Sequence, residues 1–346
     1  MERLPAFELQ RPMNLAQAVA MLADHPAARL LAGGTDLLPN LRRGIKQPTH
    51  LIDLGGVRDL GDITLDSAGV TVGAGVTLAR LAADRTIAAD WPALSQAASS
   101  IAAPGHRNAA TVGGNLCLDT RCVFYNQSDW WRAANHHCLK RGGEVCHVAP
   151  QGQRCHAAFC GDLAPALLVL GAEVELVSSH AARRMPLAEL YRDDGAAHLA
   201  IARDEVLARV TLPAPAAALR SGYRKARTRA STDFPLAGVA CAIALSDGCV
   251  TQLRIALTGT NARPFLVDGV DALTGRPVDA AMLAALGKLV QKQASPARTT
   301  VTPSHYRRQV AAVLAQRLLR ELADAAGVGV GVGVGVGAGA GAGAAP

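Results

Sequence analysis

Aromatic side chains make up only 3% of these 346 residues and charged ones only 18%. No stretch approaches the uninterrupted apolar run of about 20 residues that a membrane helix requires. So few aromatics leave few platforms on which bases stack, and the formal net charge of +7 therefore does not argue for nucleic acid. The chain opens Met1-Glu2-Arg3-Leu4-Pro5, with an acid and a proline where a secretion signal has a basic head and an apolar core. A cytoplasmic location is expected, and with it free thiols instead of disulfides. No serine, histidine and acid grouping stands out as a hydrolytic triad, and no paired carboxylates recommend glycosidic chemistry. Any catalysis therefore falls to a cofactor. Gly73-Ala74-Gly75-Val76-Thr77-Leu78 starts like a dinucleotide fingerprint, but its sixth position is leucine, so a Rossmann fold carries little weight.

A hydrophobic content of 50% is enough to build real cores, and the length predicts two or three packed units. Periodicity predicts a helix over Leu15 to Ala23, a strand over Arg29 to Ala32, a turn at Gly33-Gly34-Thr35-Asp36 into another helix capped by Thr35 or Asp36, and a strand over His50 to Leu54. Paired strands follow at Ile63 to Leu65 and Val70 to Val72, then helices at Leu78 to Ala83 and Pro92 to Ile101, suggesting small α/β subdomains in tandem. Asp162 to Gly171 reads as a helix and Glu173 to Ser178 as a strand. Val206 to Leu212, Gly222 to Ala226, Ala237 to Leu245 and Val250 to Leu257 read as strands, followed by helices at Asp279 to Gln293 and His305 to Ala325. That order argues for a separate α+β unit with an antiparallel sheet. The Gly-Val and Gly-Ala repeat after Gly327 is low in complexity and is assigned no fold.

Six of the eight cysteines fall between Cys117 and Cys160, where periodicity fails. So short a segment has no core of its own to rely on, and a metal would supply the missing stability. Cys122, Cys138, Cys146 and Cys155 lack the paired knuckles of most zinc modules and the tight runs of ferredoxins. His136, His137, His147 and His156 are at hand to complete a zinc site, and spacing alone leaves zinc and iron–sulfur both open. Glycines at Gly33-Gly34 and again at Gly113-Gly114 let backbone approach an anion, so the two turns together suit the two phosphates of a dinucleotide. The densest cationic patch, Arg220, Arg224, Lys225, Arg227 and Arg229, sits on a predicted strand with one face free to present it to such a cofactor. In the cysteine segment Arg121, Arg132, Lys140, Arg141 and Arg154 outnumber Asp129 and Glu144. They read as a solvated surface able to steer an acidic partner.

Ala32-Gly33-Gly34-Thr35-Asp36-Leu37, His106-Arg107-Asn108 and Thr111-Val112-Gly113-Gly114-Asn115-Leu116 resemble the medium, flavin-binding subunits of the molybdenum hydroxylase family. Tyr223-Arg224-Lys225, Asp233-Phe234 and the closing helices extend the resemblance over residues 5 to 325. Within that family, Leu116-Cys117-Leu118-Asp119-Thr120-Arg121-Cys122, Phe124-Tyr125-Asn126-Gln127 and Trp130-Trp131-Arg132 resemble the insertion of the 4-hydroxybenzoyl-CoA reductase branch. The resemblance implies an α+β chain: a two-subdomain PCMH-type FAD-binding domain (1–58 and 59–215, with the insertion at 117–160), a CO dehydrogenase flavoprotein-like C-terminal domain (216–325) and the tail (326–346).

For the site, the resemblance implies FAD between the amino-terminal subdomains. Arg29, Leu30, Leu31, Ala32, Gly33, Gly34, Thr35 and Asp36 would face Thr111, Val112, Gly113, Gly114 and Asn115 across its pyrophosphate. Ile101, Leu118, Asp162, Leu187 and Lys225 would make further flavin contacts. Cys122, Cys138, Cys146 and Cys155 would hold a 4Fe-4S cluster, leaving Cys117 and Cys160 as spectators. The implied partners are a large molybdenum-cofactor subunit, a small 2Fe-2S subunit and a ferredoxin donor, in an oxidoreductase that removes the hydroxyl of 4-hydroxybenzoyl-CoA. An alternative is the flavin subunit of another molybdenum hydroxylase with a structural or zinc-binding cysteine insertion.

Overall fold

The computed structural model describes residues 3–297 and 302–327; the repeats from residue 328 onward lie outside it. Three sheets organise the chain. The first takes β1 (Glu8–Gln10), α1 (Leu15–Asp24), β2 (Arg29–Leu31), α2 (Leu37–Arg42) and β3 (His50–Asp53), with the strands parallel in the order β1-β3-β2. α1 forms because Leu15, Ala18, Val19 and Leu22 recur at helical spacing and Asn14 accepts a hydrogen bond from Gln17 N at 2.9 Å. Ala18, Val19 and Leu22 pack with Ile52 of β3 into the core of this unit.

The second unit runs β4 (Ile63–Asp66), β5 (Gly69–Gly73), α3 (Leu78–Ala83), α4 (Arg85–Asp90), α5 (Pro92–Ser100), α6 (Pro104–Ala109) and α7 (Val112–Leu116). The cysteine segment follows with one short helix, α8 (Asp129–Ala134), and then α9 (Leu163–Val169), β6 (Glu173–Val177), β7 (Ala182–Pro186) and β8 (Val206–Pro213). Its antiparallel sheet has the order β4-β5-β8-β6-β7. The strand at Val206–Leu212, which element order groups with the last unit but the 59–215 limit implied by the resemblance keeps in the second, is in this one, paired with β5 and β6. The reason is that both its faces are wanted here: Val206 and Ala208 join the core of the first unit, while Leu207, Val210 and Leu212 join the core of the second.

The last unit holds β9 (Leu219–Ala226), β10 (Ala237–Ser246), β11 (Cys249–Thr258), the short β12 (Phe265–Leu266), α10 (Ala280–Gln293) and α11 (Ser304–Asp324). Its four strands are antiparallel in the order β12-β11-β10-β9. β10 is buried at every residue from Ala237 to Ile243 because both faces are covered. Val239, Cys241 and Ile243 pack with residues of α10 and α11, while the small Ala240 and Ala242 let the sheet lie close against the second unit. No helix among the described residues is long and apolar enough to cross a membrane.

Candidate functional site

Two glycine-bearing turns far apart in the chain meet at one place. Between β2 and α2 the backbone turns through Gly34, which is left-handed at φ +69°. A Cβ built on Gly33 would sit 1.8 Å from the carbonyl oxygen of Ala109 and 2.4 Å from its carbon. Only glycine lets this turn lie against the end of α6. The second turn follows at once, where Thr111 caps α7 by accepting from Gly114 N at 3.1 Å and Gly113 N donates to the Ala74 carbonyl at 2.8 Å. Leu30 to Gly34 are half-buried, while Arg29, Thr35 and Gly114 are exposed, so the paired turns are open along one side.

Asp162, Lys225 and Ile101 are brought together behind these turns. Asp162 stands at the head of α9 but makes no capping bond. Instead it accepts from the Tyr223 hydroxyl at 2.5 Å and from Lys225 Nζ at 3.0 Å, and the Asp162 and Lys225 side chains are each only 4% exposed. Burial pushes the Asp162 carboxyl above its usual range, against the opposing pull of Lys225 and Tyr223. Lys225 Nζ and Arg227 Nη1 reach the Ser100 carbonyl at 3.5 and 3.1 Å, and Arg107 Nη1 reaches that of Ile101 at 2.8 Å. Asn115 ties the second turn to this group by accepting from Leu163 N at 3.1 Å. Leu118 is half-buried and accepts from His198 Nε2 at 2.9 Å; Leu187 lies in the core with Ile101.

The cysteine segment is pinned at its base, where Arg121 and Ala158 exchange backbone hydrogen bonds of 3.0 and 2.9 Å. Its interior holds a small pocket of about 10 Å³, lined by Cys122, Cys138, Cys146 and Cys155 together with Tyr125, Lys140 and His147. Cys117 and Cys160 are not among its lining residues. Backbone amides point at two of the sulfurs: Tyr125 N donates to Cys122 Sγ at 3.3 Å and Ala157 N to Cys155 Sγ at 3.4 Å. Just ahead of Cys138, His136 and His137 are both left-handed, at φ 57° and 55°, which turns the chain back after α8. Burial pushes the Cys155 thiol up to about 12 and that of Cys122 upward. Thiolates would need a bound cation to form here. The pocket packs on the first unit: Ile45 forms a small cluster with Tyr125 and Cys138, and Arg132 and Arg141 donate to the carbonyls of Gly44 and Ile45 at 3.4 and 3.3 Å. Arg121 also bonds Asn40 and lies 3.8 Å from Asp36, so one residue of the insertion touches the first glycine turn.

Residues 5–215 match the family model described as the FAD binding domain in molybdopterin dehydrogenase, and residues 221–322 match the CO dehydrogenase flavoprotein C-terminal domain. The chain belongs to this family of molybdenum hydroxylase FAD-binding subunits. It is 35% identical over 279 residues to the aldehyde oxidoreductase FAD-binding subunit PaoB of Escherichia coli, covering 78% of this chain and 86% of that one. It is 27% identical over 314 residues to the carbon monoxide dehydrogenase medium chain of Afipia carboxidovorans, covering 90% and 95% respectively. Among solved structures, carbon monoxide dehydrogenase from Hydrogenophaga pseudoflava superposes with a TM-score of 0.77 at 25% identity, over 93% of this chain and 99% of that chain. The α+β arrangement expected from the resemblance is thus the one found.

For a flavin-binding oxidoreductase chain of this family, the cations are not where the sequence suggested. On β9 Lys225 faces inward to Asp162 and Arg224 pairs with Glu321 at 2.7 Å, while Arg220 is exposed; beyond the strand Arg229 pairs with Asp233. In the insertion the Arg132 and Lys140 side chains are 2% and 4% exposed and Arg154 pairs with Asp193 at 2.8 Å. They point inward because a segment with little apolar core holds its loops by cations on backbone carbonyls, as Arg132 does on Tyr125 at 3.2 Å and on Gln127. Zinc gains nothing from the histidines: His147 Nε2 is bonded to the His137 carbonyl at 2.9 Å, and no three His, Cys, Asp or Glu side chains among the described residues converge to hold a single metal ion. Asp36 stands just before α2, at its N-cap position, but gives no capping bond; it accepts from the Asn40 side chain at 2.9 Å. Tyr223 was missed as a site residue. Its place two residues before Lys225 on one strand, hence on the same face, was the available signal.

Proposed function

We propose that this chain is the FAD and iron–sulfur electron-transfer subunit of a molybdenum enzyme. Arg29–Asp36 and Thr111–Asn115 would cradle the FAD pyrophosphate, with Ile101, Leu118, Asp162, Leu187 and Lys225 around the rest of the flavin. The domain limits 1–58, 59–215 and 216–325 would then separate the two walls of that cradle from the unit that backs it. Cys122, Cys138, Cys146 and Cys155 would hold one 4Fe-4S cluster. The observation that carries the reading is that these four cysteines line one pocket beside the first glycine turn. Four cysteines on one pocket match in number the thiolate set that holds a 4Fe-4S cluster. Bound FAD and cluster supply electron carriage; the protein's part is to fix both on one rigid frame and keep water from the sulfurs.

The partners in this reading are a large molybdenum-cofactor subunit and a small 2Fe-2S subunit. The insertion motif supports ferredoxin-driven removal of the hydroxyl of 4-hydroxybenzoyl-CoA, giving benzoyl-CoA. The 35% identity to an aldehyde oxidoreductase subunit supports a second reading, oxidation of an aldehyde with electrons leaving by the same route. Anaerobic purification of the whole complex tests both. Iron and acid-labile sulfide should accompany FAD; Cys138→Ser should lose the extra iron and keep FAD, whereas Cys160→Ser should change neither. Equal iron loss in both variants refutes the ligand set, and zinc with no iron beyond that of the small 2Fe-2S subunit refutes the cluster. Turnover of 4-hydroxybenzoyl-CoA with reduced ferredoxin, against turnover of aromatic aldehydes with an oxidising dye, decides the substrate.

A further inference from the structure

We infer that Lys140, locked against Asp119, is the residue that sets the reduction potential of the cluster held by the four cysteines; this rests on the cluster reading above. Lys140 lines the same pocket as Cys122, Cys138, Cys146 and Cys155, and it is the lysine or arginine among the residues lining it. Its Nζ donates to Asp119 Oδ1 at 2.7 Å, to the carbonyls of Thr120 and Gly195 at 2.8 and 2.9 Å, and to the Thr120 hydroxyl. An ammonium has three protons to give, so these four acceptors share them and fix the group in place. The Tyr125 ring centroid, 4.7 Å from Nζ, closes another side.

Asp119 does not cancel this charge alone, because it is shared with Lys46, 3.4 Å from its other oxygen. With Arg121 and Asp36, 3.8 Å apart, offsetting each other, the two ammonium groups and the Asp119 carboxylate leave this group with one net positive charge, and Lys140 is its member at the pocket. Arg141 is a poorer candidate for the same role, since it is 33% exposed and screened by water. One-electron reduction of a cluster adds a negative charge without making or breaking a bond. A fixed cation in a dry wall therefore favours the reduced form, and its removal disfavours it.

The experiment is a redox titration with dithionite and mediators, followed by the paramagnetic signal of the reduced cluster, on the anaerobically purified complex. Lys140→Gln should lower the midpoint by at least a tenfold change in the one-electron equilibrium, about 59 mV, with iron and FAD content unchanged. Lys140→Arg should restore it. Asp119→Asn should move the midpoint upward, a reversal of sign that a merely structural role would not give. An unmoved midpoint in both Lys140→Gln and Asp119→Asn overturns the inference and leaves the cluster reading standing. Absence of the signal from the wild-type complex overturns the cluster reading itself. If Lys140→Gln does not retain iron, the Asp119→Asn midpoint decides: an upward shift supports the inference, and no shift or a downward one refutes it.

Discussion

Replacing Gly33 by alanine tests whether the two glycine turns must touch. The added Cβ would lie 1.8 Å from Ala109 O, 2.4 Å from Ala109 C and 2.8 Å from Ala110 N. All three are backbone atoms, so no side chain can swing away; either the turn after β2 or the end of α6 has to move by roughly 1 Å. Overpacking of this kind costs about 1–3 kcal/mol where side chains can yield, and a clash with main chain places Gly33→Ala at or above the upper end, about 3 kcal/mol. The same displacement parts the two halves of the proposed cradle, so FAD occupancy should fall with stability. Gly105→Ala is the internal control: its Cβ would meet nothing within 4 Å, and in α6 it should gain up to about 1 kcal/mol. Urea unfolding followed by circular dichroism, with FAD measured in the purified variants, reads both. A Gly33→Ala protein within about 0.5 kcal/mol of wild type and with full FAD would show that the close approach has no such consequence.

Other consequences can be checked in the same way. Lys225→Met leaves the buried Asp162 carboxyl without its cation and should cost about 3–5 kcal/mol, most of it recovered by adding Asp162→Asn; no recovery would mean that the pair is not the unit at stake. Burial first, and then the neighbouring Lys140, hold the His198 imidazole down at about 4 from its ordinary 6.5. Because the folded value is depressed, this stabilisation is complete above pH 6.5 and is lost as pH falls toward 4, by about 3 kcal/mol. Unfolding curves of His198→Gln, which keeps a donor for the Leu118 carbonyl, should lack that step. Burial alone would raise the Asp119 carboxyl, but Lys140 and Lys46 outweigh it and hold it at about 2. Its contribution is present above pH 3.8 and disappears between there and 2, about 2 kcal/mol, a step that acid unfolding of Asp119→Asn should not show.

Much of the frame was legible in the chain because it rests on local rules. The spacing of Leu15, Ala18, Val19 and Leu22 gives α1, and the alternation from Ile63 to Val72 gives the hairpin of β4 and β5, whatever the remaining residues do. The two glycine turns were legible for the same reason, since Gly33-Gly34 and Gly113-Gly114 announce tight backbone in the sequence itself. Clustering alone marked the cysteines. What could not be read was every property that depends on a distant neighbour. By element order alone β8 looks like a strand of the last unit, until β5 and β6 claim both its edges as the 59–215 limit implied. Arg132 and Lys140 look like solvated charges until the carbonyls they serve are folded around them. Composition and periodicity thus determined the elements and the residue types available for chemistry. Tertiary structure alone decided that Gly33 meets Ala109, that Asp162 meets Lys225, and that a buried lysine shares a wall with four cysteines, because each of these contacts joins segments that local propensity cannot bring together.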